Sequence, residues 1–198
     1  MIVIMPKTKL DYLSNFFFEI GSLRKLVRSH RQALLTDDLS DNIASHSYRV
    51  TTIGFFLAKE EKADPYKVLL MCLFHDLSEA RSGDQNWINK RYVKVFEEEI
   101  INDQFKNLPG SSDLTKIVTE YQQRKTKEAI VAKDADLLDQ ILLLKEYSWQ
   151  GNNEAKDWLK SEEQFRALHT KTAKILARLI ADQKPHQWWN NIWTAKRR

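Results

Sequence analysis

At 198 residues the chain is long enough for one domain with a substantial core, and no low-complexity stretch sets off a second. Its single cysteine, Cys72, excludes a disulfide within the chain and fits a reducing compartment. The net charge of +4 is spread over interleaved Lys, Arg, Asp and Glu, which argues against nucleic acid as the partner. Five Gly and four Pro among abundant Leu, Lys, Glu and Ala leave few turn formers, so the predicted class is all-α.

The apolar start Met1-Ile2-Val3-Ile4-Met5 is cut off by Pro6, short of a signal h-region or a membrane span, so a soluble, cytoplasmic protein is predicted. Leu10, Leu13, Phe17, Ile20, Leu23 and Val27 recur at helical spacing and predict a first helix from Thr8 to about Ser29. Residues 30–42 lose that period and gather Asp, Ser, Thr and Asn, the residues of an ordered loop. A second helix begins near Ile43 to Ser45 and carries His46 on the same face as Val50, Ile53 and Leu57.

Asp64-Pro65 reads as an N-cap followed by Pro at the first helical position, and launches an apolar helix that ends at His75-Asp76. The segment from Trp87 to about Leu108 alternates Lys/Arg with Glu, carries Tyr92, Val95, Phe96, Ile100 and Phe105, and is ended by Pro109-Gly110; Asp113 can cap a short helix through Tyr121. Thr126 opens an apolar helix interrupted by Asp134, Asp136 and Asp139. After Gly151-Asn152-Asn153 a single long helix over about 154–183 is predicted, followed by a Trp-rich tail over 184–198. Packing on the bundle or on a partner chain is the expected use of that tail, rather than nucleic-acid binding.

Ionisable groups at the end of an apolar helix are costly to bury unless a partner or a metal ion compensates them. Neighbours on a helix diverge by about 100°, so His75 and Asp76 share one ligand only if it sits between them at the helix end. A divalent metal ion meets that geometry, and His46 could supply a second imidazole and Asp136 a second carboxylate.

These residues, in this order and each on a predicted helix, resemble the ligand set of the HD-domain metal-dependent phosphohydrolases. The phrases Ser45-His46-Ser47, His75-Asp76-Leu77-Ser78-Glu79 with Gly83-Asp84, and Ala132-Lys133-Asp134-Ala135-Asp136 are similar to those of the bacterial 5′-deoxynucleotidases and their eukaryotic relatives, over roughly 26–147. The resemblance implies a compact helical bundle forming one HD-type domain over 1–198. It implies one divalent ion (Mn, Co, Fe, Mg or Zn) held by His46, His75, Asp76 and Asp136, with Glu79 and Asp84 as catalytic residues. It also implies a nucleotide substrate and a homodimer.

In the nucleotidases an Arg fifteen residues before the first ligand His holds the substrate, and Arg31 stands at that place. Arg81, Lys90 and Arg91 are further phosphate candidates. Gln32 and the stretch Gln85-Asn86-Trp87-Ile88 depart from the bacterial pattern and bear on sugar and base selectivity. The leading expectation is release of phosphate from (deoxy)nucleoside 5′-monophosphates. The rivals are cleavage of nucleoside triphosphates or another phosphorylated nucleotide on the same fold, and a non-catalytic nucleotide-binding module.

Overall fold

Capping residues set most helix starts. The computed structural model describes residues 8–190 and 192, so Met1–Met5 with Pro6, and Trp193 and Lys196–Arg198 of the tail, lie outside the described residues. Helix α1 (Lys9–Gly21) starts in a reciprocal capping box between Thr8 and Asp11, and α3 (Ile43–Glu61) in one between Asn42 and Ser45. Helix α4 (Pro65–Phe74) follows Asp64, whose carboxylate accepts from the Tyr66 and Lys67 amides, as its Asp-Pro start predicts. Thr126 caps α9 (Lys127–Trp149) by accepting from the Ala129 amide. Among the described residues there is no strand, only an isolated antiparallel bridge between Val27 and Asn42. The all-α class therefore stands.

That bridge explains the first departure from expectation. The first helix does not run to Ser29: it ends at Gly21, continues as a 3-10 turn over Ser22–Lys25, and the chain then extends. The Arg28 amide donates to the Asp41 carbonyl at 2.9 Å and the Ile43 amide to the Leu26 carbonyl at 3.0 Å. Pairing of this kind turns Arg28 inward. The expected loop also contains a single helical turn, α2 (His30–Ala33).

The segment from Trp87 to Leu108 holds two helices, α6 (Trp87–Tyr92) and α7 (Glu97–Phe105), which follow the short α5 (Glu79–Ser82). Val93 and Phe96 take non-helical conformations at the break, where two β-branched valines weaken helical preference. Asp113 lies in the first turn of α8 (Ser111–Gln123), not at its cap, which is Gly110 in the left-handed conformation.

The single C-terminal helix is likewise broken into α10 (Asn153–Ser161), α11 (Glu163–Arg166) and α12 (Lys171–Asp182). Glu162 adopts a positive φ of 61°, and fully buried Asp134 accepts from the His169 and Thr170 amides and the Thr170 hydroxyl, fixing the turn that enters α12.

Helix α9 is buried on nearly every side, the pattern of a central helix. Helices α3, α4, α8, α10 and α12 pack against it. No helix among the described residues is long and apolar enough to cross a membrane.

Helices α3 and α4 approach closely at Gly54. A Cβ there would lie 2.5 Å from the Cys72 sulfur and 3.2 Å from Val68 Cγ1. Cys72 is fully buried in a helix, where few rotamers are open to its sulfur. The close approach is what brings His46 on α3 beside His75 at the end of α4. Gly54→Ala gains about 1 kcal/mol of helix propensity but overpacks the contact by about 1–3 kcal/mol, so a net loss in the urea unfolding midpoint is expected. A raised midpoint would contradict this packing.

Candidate metal centre

Four side chains converge where α3, α4 and α9 meet. His46 Nε2 lies 3.2 Å from His75 Nε2, 3.3 Å from Asp76 Oδ2 and 3.3 Å from Asp136 Oδ1. His75 Nε2 is 3.1 Å from the Asp76 oxygen and 4.0 Å from that of Asp136. Both imidazoles are buried, whereas the two carboxylates are partly open to a cavity of about 620 Å³.

The partners of the other ring nitrogens decide what these atoms are. His75 Nδ1 is 2.7 Å from the Cys72 carbonyl oxygen, which only accepts, so Nδ1 carries the proton. His46 Nδ1 is 2.6 Å from Asp139 Oδ2. Burial opposes ionisation of Asp139, but its bonds to His46 and Arg49 outweigh that and hold its pKa below the usual carboxylate range. It accepts, and His46 Nδ1 donates.

In each neutral ring Nε2 is then a lone pair, and both lone pairs face two carboxylate oxygens. Four acceptors with no donor among them require a cation. Ligand atoms about 2.0–2.2 Å from one divalent ion, in tetrahedral or octahedral array, stand roughly 3–3.5 Å from one another, close to most of the observed separations. His46, His75 and Asp136 could therefore hold a metal ion, and Asp76 is placed to join them.

The same electrostatics appears in the proton equilibria. Burial and Arg28 oppose a charge on His46, yet Asp136, Asp139 and Asp76 together raise its pKa well above the usual histidine value. A proton there takes the place of a cation. Burial, reinforced by Asp76 and Asp84, pushes the Glu79 carboxyl up to about 10, and its Oε2 is buried without a hydrogen-bond partner.

The residues expected at the site divide into two groups. Glu79, Asp84 and Lys90 line the cavity with His75, Asp76 and Asp136. Asp84 is fixed by the Ser29 amide at 2.6 Å and the Ser29 hydroxyl at 2.9 Å. Arg31, Arg81 and Arg91 are not brought to it. Arg31 pairs with Asp37 at 3.3 Å and lines an adjoining pocket, Arg81 forms a forked pair with Glu19, and Arg91 is exposed on α6.

Arg28 stands where Arg31 was expected. It is 7 % exposed, lines the cavity, and its Nε and Nη1 have no hydrogen-bond partner. Asp136, Asp76, Asp41 and Asp84 surround it and overcome the cost of burial, raising its pKa further and keeping it charged. Nothing in the local sequence marked Arg28, because the Val27–Asn42 bridge that turns it inward is a tertiary feature. Asp139 was legible only as a polar interruption; its spacing of three from Asp136, which places both on one helix face, was the available signal.

An all-α fold with a buried two-histidine, two-carboxylate cluster facing a polar cavity defines a class, and the chain belongs to the HD domain family, whose model matches residues 20–179. Within it, the chain is 29% identical over 152 residues to the 5′-deoxynucleotidase HDDC2 of Dictyostelium discoideum, covering 70% of this chain and 80% of that one. It is 28% identical over 156 residues to a 5′-deoxynucleotidase of Erwinia tasmaniensis, with 71% and 77% covered. A solved structure from Magnetospirillum magnetotacticum, described as a predicted metal-dependent phosphohydrolase, superposes with a TM-score of 0.64 at 26% identity, covering 89% of this chain and 95% of that one.

If Asp139 sets the His46 tautomer, Asp139→Asn weakens binding of Mn²⁺ or Co²⁺ by about 10–100-fold as read by calorimetry on metal-stripped protein. Unaltered affinity would remove Asp139 from this role.

Proposed function

We propose that the chain is a divalent-metal-dependent phosphohydrolase releasing phosphate from (deoxy)nucleoside 5′-monophosphates, with His46, His75, Asp76 and Asp136 as ligands. The observation that carries the reading is the donor-free cluster of two imidazole and two carboxylate acceptors, open to a cavity that also presents Arg28 and Glu79. The names of the relatives, both 5′-deoxynucleotidases, support the substrate class.

A divalent ion held there supplies a nucleophilic water at neutral pH and neutralises charge on the phosphate. Arg28 holds the phosphate: its Nε has no hydrogen-bond partner, its Nη1 has only a 3.8 Å ion-pair contact with Asp139, and a guanidinium already buried interacts strongly with an anion. Glu79, whose carboxyl burial pushes upward and whose buried Oε2 is unpartnered, gives a proton to the departing 5′ oxygen as the P–O bond breaks. Asp84, immobilised by Ser29, orients the attacking water. Lys90 adds positive charge at the cavity rim.

The reading includes one HD-type unit over 1–198, a cytoplasmic setting, which suits the single buried and unpaired Cys72, and a homodimer, for which the exposed Phe17 and Phe18 of α1 offer an apolar face.

Metal-stripped protein resupplied with Mn²⁺, Co²⁺, Mg²⁺ or Zn²⁺ is expected to release phosphate from nucleoside 5′-monophosphates. Silence with every metal and nucleotide would favour a binding module instead. In the active form Glu79→Gln retains metal but loses about 10²–10⁴-fold in kcat; full turnover would refute its role. Arg28→Ala forfeits charged hydrogen bonds worth about 1.5–3 kcal/mol and raises KM, whereas Arg31→Ala, its side chain committed to Asp37, leaves KM near the parent value.

A further inference from the structure

The cavity contains donors that the proposed hydrolysis of a monophosphate does not use. At the C-terminal end of α8, Gln122 Nε2 in the last turn and Arg124 Nη1 at the cap are both buried without a hydrogen-bond partner, and both residues line the cavity. The Arg124 guanidinium lies flat over Tyr121, its Cζ 3.4 Å from the ring centroid, and the Tyr121 ring lies 5.4 Å from that of His75. One aromatic ring thus separates this second guanidinium from the His–Asp cluster.

The backbone at Arg124 is also unusual. It ends α8 in the left-handed conformation, with φ 54°, at a place where Gly is the common residue. An Arg there gives up backbone comfort and leaves a buried donor unmatched, so packing alone does not account for it.

Charge identifies what would match the donors. Besides Arg124, the cavity is lined by Arg28, Lys90, Lys94 and Lys133. Lys133 is engaged by Asp136 at 2.7 Å, and Arg28 serves the phosphate being hydrolysed. Burial pushes the Glu79 carboxyl upward, and Asp76 and Asp136 are committed to the cation. Asp84 and Glu97 on the same wall offset Lys90 and Lys94, which leaves the charge of Arg124, with no carboxylate in ion-pair distance among the described residues, to be met by an anion. Two buried N–H donors on the wall of one cavity, one of them cationic, suit the oxygens of a second anionic group.

We propose that Arg124 and Gln122 form a second anion subsite, and that the preferred substrate carries another phosphate in addition to the one removed. This rests on the phosphohydrolase reading above. The second phosphate has two sources. In a nucleoside 3′,5′-bisphosphate, water attacks the 5′ phosphorus, the P–O5′ bond breaks, O5′ takes a proton, and orthophosphate and the nucleoside 3′-phosphate result. In a nucleoside 5′-diphosphate, water attacks the β phosphorus, the bond from it to the bridging oxygen breaks, that oxygen leaves with the monophosphate, and the water's proton is released, giving orthophosphate and the monophosphate.

The test compares kcat/KM of the metal-loaded protein for deoxyadenosine 5′-monophosphate, its 3′,5′-bisphosphate and its 5′-diphosphate, in the parent, Arg124→Gln and Arg124→Gly. The parent is expected to favour one of the two-phosphate substrates by about tenfold or more, and the favoured one identifies the source. In both variants the ratio falls to within about twofold, mainly through KM. Arg124→Gly should keep or raise the melting temperature, since Gly suits the left-handed backbone, so loss of preference with intact folding excludes a structural cause.

Equal kcat/KM for all three substrates in the parent overturns the proposal. So does a fall for the monophosphate as large as that for the two-phosphate substrate, which would assign the donors to a part common to both, such as the base. If no substrate releases phosphate, the hydrolase reading fails, and the subsite is judged by calorimetry. Tighter binding of the bisphosphate than of the monophosphate, lost in Arg124→Gln, sustains it, and equal binding overturns it.

Discussion

Two hydrogen bonds on the far sides of two imidazoles govern this molecule. The Cys72 carbonyl and the Asp139 carboxylate each take an Nδ1 proton, and by doing so aim the Nε2 lone pairs of His75 and His46 at one another and at Asp76 and Asp136. Such a cluster is unstable by itself. It demands either a proton, which the raised pKa of His46 expresses, or a metal ion. The fold is what keeps the lone pairs together: α3 and α4 approach closely at Gly54, and α9 runs through the core beside both.

Helix α9 shows how one apolar helix places three carboxylates in three environments. At about 100° per residue, Asp134 and Asp136 point to opposite sides, while Asp136 and Asp139 share a face one turn apart. Asp134 accordingly faces away and holds the start of α12, Asp136 joins the histidines, and Asp139 supports His46 while also meeting Arg49. Each buried carboxylate has its own cationic or N–H partners, as burial of charge requires. The chemistry and the stability of the bundle are therefore tied to the same helix.

Much of this was legible because it is written locally. The Asp64-Pro65 start, the apolar period of α3 and α4, and the His75-Asp76 pair at the end of an apolar run follow from spacing and capping, and they convey where His46 and His75 lie. What escaped was set by contacts remote in sequence. The bridge between Val27 and Asn42 ended the first helix early and replaced Arg31 with Arg28 at the cavity. The reach of Asp134 to residues 169 and 170 divided the C-terminal helix. The break after Tyr92 placed Lys94 on the cavity wall, and no Gly or Pro announced it.

Everything chemical in this molecule depends on the four convergent atoms being a cation site. Anomalous diffraction from a crystal of metal-stripped protein soaked in Mn²⁺ tests this without reference to any substrate. One peak per chain is predicted, bounded by Nε2 of His46, Nε2 of His75, Oδ2 of Asp76 and Oδ1 of Asp136. A peak elsewhere, or none at saturating Mn²⁺, would contradict it and leave the buried histidine pair as a proton-holding element of the core.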